Sequence, residues 1–379
     1  MKKTTKIVIV GAGPIGCYLG QLLKHSGFDP LILEEHPEVG KPVQCAGIVG
    51  RPTFNKLRLP ISTKSILNVI DGAELFFNGL SFQLHRPKVA YIVDRELFDK
   101  ELSLKLNIEY RTALQAVHPI KDGYLLKTSN GDYYADLVVG ADGPSSIVRR
   151  SLGFSSDLKL YHSYQMRVKM QAKQLNQVAV HYIKPFSLFT WVIPEGNGIV
   201  RIGTIAENPH QELNKYLAEN KIEGEVVEKI AGSIPIGTCE LIKNKAALVG
   251  DAACQIKPIT SGGIFYGMKS AEFLADAINE GDLSLYRKRW AEEFEQEIKL
   301  CLLARNVLEN LSADILQRLF SYMAENAKLI EKVGDFEKHS SILWSLFTNP
   351  KTYPTMGALL IGLIKKPRYI LRSLLRQGH

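Results

Sequence analysis

Cysteine is scarce in this sequence. Its 379 residues include five, Cys17, Cys45, Cys239, Cys254 and Cys301, an odd and scattered set with no C-x-x-C pair. That pattern argues against a disulfide framework and against a zinc site, and it implies a reducing, cytoplasmic setting. Long apolar runs are missing too. Residues 357–364 are apolar, far fewer than the ~20 needed to cross a bilayer. The basic opening residues lead into a strand-like run with no signal-peptide cleavage pattern behind it. Neither repeats nor low-complexity segments occur. Acidic residues are absent after Glu337, where Lys338, Lys351, Lys365, Lys366, Arg368, Arg372 and Arg376 supply seven charges of a net +8. The rest of the chain is nearly neutral, so the basic excess belongs to the tail and does not point to a nucleic-acid partner.

What is present is organised around residues 6–34. Ile7, Val8, Ile9 and Val10 are consecutive β-branched residues, as in a strand buried on both faces, and Gly11-Ala12-Gly13-Pro14-Ile15-Gly16 follows at once. Strand, glycine turn and helix start in this order bring backbone N–H groups and a positive helix end to a pyrophosphate. A second strand over 31–33 ends on Glu34, 18 residues after Gly16, where an acid meets a ribose hydroxyl. The stretch predicts a dinucleotide site.

The loop after Glu34 runs through Glu35 and then Lys41-Pro42-Val43-Gln44-Cys45-Ala46-Gly47. Loops leaving strand ends in open α/β sheets commonly carry function, which makes Cys45 a candidate for lying against the cofactor; a small buried residue in a turn is the other reading. Residues 60–92 alternate as strands of a second sheet, with runs at 73–78 and 80–84. Asp94-Arg95 opens a helix expected to reach about Leu106. A strand from Gln115, a hairpin at Asn130-Gly131 and one run over 134–139 lead to Gly140-Ala141-Asp142-Gly143, a second turn suited to a phosphate or ring. Runs at 164–170, 178–183, 188–193 and 199–204 read as one antiparallel sheet, followed by a helix over 209–220. The chain then returns to nucleotide-type turns. A short strand at 246–249 is capped by Gly250-Asp251, and Ser261-Gly262-Gly263-Ile264 opens a helix through Ile278. Residues 285–324 have helical spacing. Beyond Pro367, Ile370, Leu371, Leu374 and Leu375 fall on one face and Arg368, Arg372 and Arg376 on another, a basic amphipathic helix suited to a membrane surface.

GAGPIG…LILEE, DRELFD, VVGADGPSS and ALVGDAACQIKPITSGGI, in this order, resemble the flavoprotein superfamily that contains aromatic hydroxylases, halogenases and geranylgeranyl reductases. The resemblance covers roughly residues 1–285. KPVQCAG, the run Phe189-Thr190-Trp191-Val192-Ile193-Pro194-Glu195-Gly196, and Ser261-Gly262-Gly263-Ile264 are similar to motifs of the geranylgeranyl reductase branch, with Ile193 standing where that family commonly has an aromatic.

The resemblance implies an α/β fold: a Rossmann-like FAD-binding domain over 1–59, 92–160 and 245–284, an antiparallel-sheet substrate domain over 60–91 and 161–244, and a helical C-terminal region over 285–379. It implies FAD as cofactor, with Gly11, Gly13, Pro14 and Gly16 at the pyrophosphate, and Glu34 and Glu35 on the adenosine side. Cys45 and Ala46 would lie in the loop against the flavin. Arg95 would lie between the pyrophosphate and the ribityl chain and Asp142 in the turn near a phosphate or the ring, with Gly250 and Asp251 on the ribityl or phosphate side and Gly262, Gly263 and Ile264 at the ring. For Arg95 the residues alone also allow a pair with Asp99 one turn on, and for Asp251 a helix cap. Phe189, Trp191, Pro194 and Gly196 would bind substrate, with Phe76, Phe77, Phe82 and Phe186 available to line an apolar channel. The implied activity is reduction of isoprenoid double bonds by hydride from reduced flavin, with Cys45 as the candidate proton donor. A flavin monooxygenase and a non-catalytic lipid-carrying flavoprotein are the alternatives. No second strand–glycine–helix unit for a nicotinamide nucleotide is visible, so the electron donor is either transiently docked NADPH or a ferredoxin-like protein.

Overall fold

The computed structural model describes residues 6–183, 185 and 188–348. The chain divides into two compact units. One is drawn from the residues up to Leu67, Tyr91–His162 and Ile230–Gln296, the other from Asn68–Ala90, Ser163–Lys229 and the residues from Glu297 on.

The first unit is built on a six-stranded sheet in the spatial order Ile242–Lys243, Ala246–Leu248, Leu137–Gly140, Ile7–Val10, Leu31–Leu33, Asn107–Glu109. Five of these strands are parallel and the Ile242–Lys243 edge is antiparallel. Ile7–Val10 lies in the middle with every residue buried, which is why its sequence is continuously apolar rather than alternating. Pro14 at the first turn starts the helix Pro14–His25, and this helix packs on Ile264–Glu280. Gly267 makes the approach possible: a Cβ there would fall 2.7 Å from Ile15 Cδ1. One buried polar network staples the two helices. The Tyr18 hydroxyl donates to Glu272 Oε1 at 2.9 Å, and the same oxygen accepts the Arg58 N–H at 2.5 Å.

A small antiparallel sheet, Leu114–Ile120, Gly123–Thr128 and Gly131–Ala135, holds the Asn130-Gly131 hairpin. Here the single run expected over 134–139 splits. Residues up to Ala135 pair with Gly123–Thr128, whereas Leu137–Gly140 joins the parallel sheet; apolar content alone cannot reveal that change of partner. The helix expected to reach Leu106 ends at Ser103, and Lys105 beyond it has φ +63°. Its start is as read: Asp94 Oδ1 accepts the Leu97 N–H at 3.1 Å.

In the second unit the strands Ile199–Ala206, Leu188–Gly196, Gln177–Ile183, Ile66–Phe77 and Leu80–Val93 lie side by side in that order. The sheet is mixed rather than antiparallel, because Gln177–Ile183 pairs parallel with Ile66–Phe77. These two strands are far apart in the sequence, so no hairpin fixes their relative direction. On one sheet face Val200, Ile202 and Val192 pack with Leu213 and Tyr216 of the helix Pro209–Glu219. On the other, Leu75, Phe77, Val180 and Tyr182 pack with Leu316 and Phe320 of Ala313–Glu325. The long strand Glu225–Cys239 has no counterpart in the sequence reading, since Gly232, Pro235 and Gly237 interrupt its alternation. The helical stretch expected over 285–324 is three helices, Ser284–Trp290, Gln296–Asn310 and Ala313–Glu325, joined by a π-helical turn at Ala291–Glu295 and a break at Leu311-Ser312. Ser312 is the N-cap of the last of them. No helix among the described residues is long and apolar enough to cross a membrane. The basic tail and Phe186 lie outside the described residues.

Candidate functional site

The site in the first unit is assembled from five chain segments. Gly11 has φ +99°, and a Cβ on it would lie 2.5 Å from the Ala141 carbonyl oxygen. Only glycine lets the first turn pass so close to the second. Gly16 is needed for the same kind of reason, since its Cβ would fall 2.0 Å from the Gly11 oxygen. Gly13 differs, because nothing lies within 4 Å of its missing Cβ. Gly13 is also the N-cap of the helix Pro14–His25, with no side chain capping it. Pro14 has no N–H to satisfy, and the N–H groups of the next residues are left for a ligand.

Glu34 is buried at the end of Leu31–Leu33. Its Oε2 accepts the Ala12 N–H at 2.7 Å, and its Oε1 accepts the His36 N–H at 3.0 Å and sits 2.6 Å from His36 Nδ1. The acid thus closes the glycine turn, and Oε2, with the Ala12 N–H as its partner among the described residues, keeps a lone pair for a hydroxyl. Glu35 is largely exposed, with its carboxylate 3.9 Å from His36 Nε2.

Asp142 Oδ2 accepts the N–H groups of Ile147 and Val148 at 2.7 and 3.1 Å, tying the second turn to the helix Ile147–Ser151. Its Oδ1 is buried with no hydrogen-bond partner among the described residues. Burial pushes this carboxyl up, against the pull of Ser146 and the helix N–H groups.

Arg95 is held by Asp99 in a two-point pair, Nε to Oδ1 at 3.1 Å and Nη2 to Oδ2 at 2.8 Å, and both side chains are nearly inaccessible. Burial disfavours the guanidinium charge, but Asp99 and then Cys45 outweigh it and hold Arg95 firmly cationic. The pair with Asp99 and a place in the site are therefore compatible. Cys45 lies near enough to Arg95 to add to the hold on its charge, and Cys45 Sγ accepts the Gly47 N–H at 3.3 Å. Cys45 and Ala46 are half-buried.

Gly250 has φ +69° and lies against Ile15. Asp251 follows in a short 3-10 turn, Gly250–Ala253, and caps no helix with its side chain. Gly263 is the uncapped N-terminus of Ile264–Glu280, and a Cβ there would meet Asp251 Oδ1 at 2.9 Å. A second helix end therefore opens next to a carboxylate, with Gly262 beside Lys257. Burial raises the Asp251 carboxyl from 3.8 to about 6, against the opposing pull of Arg95.

The sign of that shift gives a pH dependence. Between pH 3.8 and about 6 the folded protein binds a proton that the unfolded chain has released, so stability falls as pH rises through this window and the loss is complete above it. In flavin-free protein, Asp251→Asn is expected to remove this component. Urea unfolding at pH 4.5 and at pH 7 checks it: wild type should lose more stability than the variant between the two, and parallel curves would exclude the effect.

In the second unit Phe189 and Trp191 share a sheet face with Val180 and Tyr182. The indole ring occupies the space left by Gly203, whose Cβ would fall 2.4 Å from it, and its N–H donates to Gln165 Oε1 at 2.8 Å. Phe189 is 6.0 Å from Trp191 and 6.0 Å from Tyr182 between ring centroids. Three of the other proposed lining residues are engaged in packing elsewhere. Phe76 faces the opposite side, stacked on His181 at 4.2 Å, and Phe77 and Phe82 are consumed in packing against Phe320. Adjacent strand positions alternate between faces, so Phe76 and Phe77 could never share a wall. Pro194 and Gly196 lie at a bulge, with the buried Glu195 between them. Glu195 pairs with Arg201 at 2.7 Å and with Arg167 at 2.5 Å. This ion-pair cluster went unread because its members are 28 and 6 residues apart in the sequence and meet only across the sheet.

Residues 9–47 match the NAD(P)-binding Rossmann-like domain. An uncharacterized protein of Methanocaldococcus jannaschii is 30% identical over 364 residues, 89% of this chain and 93% of that relative. A digeranylgeranylglycerophospholipid reductase of Methanosarcina acetivorans is 27% identical, covering 91% of this chain and 96% of its own length. The crystal structure of a geranylgeranyl bacteriochlorophyll reductase-like protein from Thermoplasma acidophilum superposes with a TM-score of 0.77 at 23% identity, over 91% of this chain and all of that one.

The open cradle at Gly13, two uncapped helix ends, the unpartnered Asp142 oxygen and the buried Arg95 suit a dinucleotide's phosphates and hydroxyls. With the fold, they define an FAD-dependent oxidoreductase. The chain belongs to the geranylgeranyl reductase family.

Proposed function

We propose that this protein saturates carbon–carbon double bonds of geranylgeranyl-type isoprenoid chains. The observation that carries the reading is the near-full-length likeness to a reductase of such lipids, joined to a half-buried thiol, Cys45, on the loop that leaves Glu34 in the nucleotide-binding unit. When bound, reduced FAD supplies a hydride. One alkene carbon takes that hydride and the other takes a proton, which leaves a saturated bond. An isolated trisubstituted alkene is not polarised by a carbonyl, so the proton must come from a well-placed group. Cys45 is the residue proposed to hold that proton, with Arg95 orienting the sulfur. Gly11, Gly13, Gly16 and Glu34 would hold the nucleotide end, and Asp251 with Gly262 and Gly263 would hold the flavin end. Phe189 and Trp191 are the residues proposed to offer the prenyl chain an apolar surface in the second unit.

Anaerobic incubation of dithionite-reduced protein with geranylgeranyl lipids, read by product mass, tests the proposal. A gain of two mass units per reduced bond is expected; reduced flavin that persists alongside unchanged lipid would sink it. Hydroxylated product on admitting oxygen would point to monooxygenation instead. The electron donor is proposed to be NADPH or a ferredoxin-like protein, distinguished by which of them bleaches the flavin. The basic tail is proposed to rest on an anionic membrane surface. Removing residues 357–379 is expected to release the protein from anionic vesicles, and binding by the intact chain should weaken with salt. Equal sedimentation of both forms would exclude this.

A further inference from the structure

One side-chain cluster in the second unit has no part in this chemistry. Glu297 and Cys301 lie one turn apart on the same face of the helix Gln296–Asn310, with exposures of 6% and 0%. His339 stands immediately before the helix Ser340–Thr348. A carboxylate oxygen, the thiol sulfur and an imidazole nitrogen from these three all lie within 4.8 Å of one another. The Cys301 thiol donates to Glu297 Oε1 at 3.1 Å, and that oxygen also accepts the N–H groups of His339 at 2.7 Å and Ser340 at 3.2 Å. Among the described residues Oε2 accepts only the Ser340 N–H, at 3.2 Å, so it retains lone-pair capacity. The result is a buried set of one nitrogen, one oxygen and one sulfur donor drawn from two segments of chain.

We propose that Glu297, Cys301 and His339 bind one zinc ion. A borderline-soft, tetrahedral cation accepts all three donor types, and three protein ligands leave one position for water. The charges close: a dication with a thiolate, a carboxylate and a neutral imidazole sums to zero, the condition a buried site needs. On binding, the S–H bond of Cys301 breaks, the sulfur–zinc bond forms, one proton leaves to solvent and no electrons move. Bonds of about 2.0–2.3 Å place tetrahedral ligands roughly 3.5 Å apart; Cys301 Sγ and Glu297 Oε1, at 3.1 Å, are already near that spacing, and no donor pair need close by more than about 1 Å. Glu297 can turn its less-used oxygen to the metal while the other keeps its hold on the start of Ser340–Thr348. The ion would clamp that helix start to Gln296–Asn310. The absence of a C-x-x-C pair argued against zinc from the sequence, and a donor set of three different residue types escapes that argument.

The test uses the full-length flavin-loaded protein, free of any histidine tag and stripped of metal by a chelator, then dialysed against zinc or cobalt(II). The expected result is one equivalent of zinc retained, a raised melting temperature with zinc, and cobalt d–d bands at wavelengths longer than the flavin absorbs. Cys301→Ser and His339→Gln should each weaken binding by more than the roughly 10–100-fold that loss of an outer-shell partner costs. Flavin content and melting temperature without metal should match wild type. His339 is only half-buried, so His339→Gln keeps the test decisive if Cys301→Ser fails to fold. Less than one equivalent on wild type, or equal binding by wild type and His339→Gln, overturns the proposal and leaves Glu297 as a helix cap alone.

Discussion

Gly11→Ala is expected to yield protein that purifies without flavin. At φ +99° an alanine is strained wherever it sits, and this one would place its Cβ 2.5 Å from the carbonyl oxygen and 2.9 Å from the carbonyl carbon of Ala141. Neither side can give way. Ile7–Val10 is buried along its whole length between two parallel neighbours, and Ala141 directly follows the buried strand Leu137–Gly140, its N–H bonded to the Val10 oxygen at 2.8 Å. The turn must open instead, and a turn opened by even a few tenths of an ångström no longer offers its N–H groups to a pyrophosphate. A loss of about 3 kcal/mol is roughly 100-fold in affinity, enough to empty the site during purification. Flavin absorbance relative to protein is the measurement. Gly13→Ala is the informative control, because its Cβ meets nothing within 4 Å. It should leave the flavin-free protein as stable as wild type while still weakening flavin. Full flavin content in Gly11→Ala would falsify the placement of the phosphates at this turn.

The second large effect is expected at Cys45. Replacing a positioned proton donor typically costs about 10²–10⁴-fold in rate. Cys45→Ala should therefore slow double-bond reduction by that order while flavin content and the rate of flavin reduction by dithionite stay at wild-type values. Single-turnover oxidation of reduced flavin by a prenyl lipid, followed without oxygen, isolates the step. Cys45→Ser keeps a hydroxyl at the Gly47 N–H and near Arg95, so it separates a positioning role from a proton-donating one: a donor role predicts a slow serine variant, a positioning role one near wild type. If both variants turn over at the wild-type rate, Cys45 has no part in the reaction. A sulfur that only filled a turn would show itself in stability instead.

Much of the nucleotide fold was legible because its signals are local. A β-branched run, a glycine turn and a helix start follow one another without interruption, so the segment 6–34 announced a strand, a turn and a helix whatever the rest of the chain did. Glu34 was legible by distance as the acid at the end of the second strand; that it closes the glycine turn through the Ala12 N–H was not. Arg95 was legible as a residue and ambiguous as a role, since the i,i+4 spacing to Asp99 and a place in the site predict the same sequence; the structure shows the pair with Asp99, and the place in the site is a proposal. The aromatic supply was legible only in kind. Phe76 and Phe77 are neighbours in sequence and lie on opposite sheet faces, a distinction that depends on register.

By itself, the sequence determined the order of elements in the nucleotide-binding unit, the glycines that its turns require, the neutral body and the basic tail, because each depends on residues within a few positions of one another. Tertiary structure alone decided the rest. It split residues 134–139 between two sheets and set Gln177–Ile183 parallel to Ile66–Phe77. It also spent Phe77 and Phe82 on the helix Ala313–Glu325 and brought Glu297, Cys301 and His339 together. The physical reason is common to all four: long-range partners are chosen by which surfaces bury each other, and that choice leaves no periodicity or spacing in either strand of the pair.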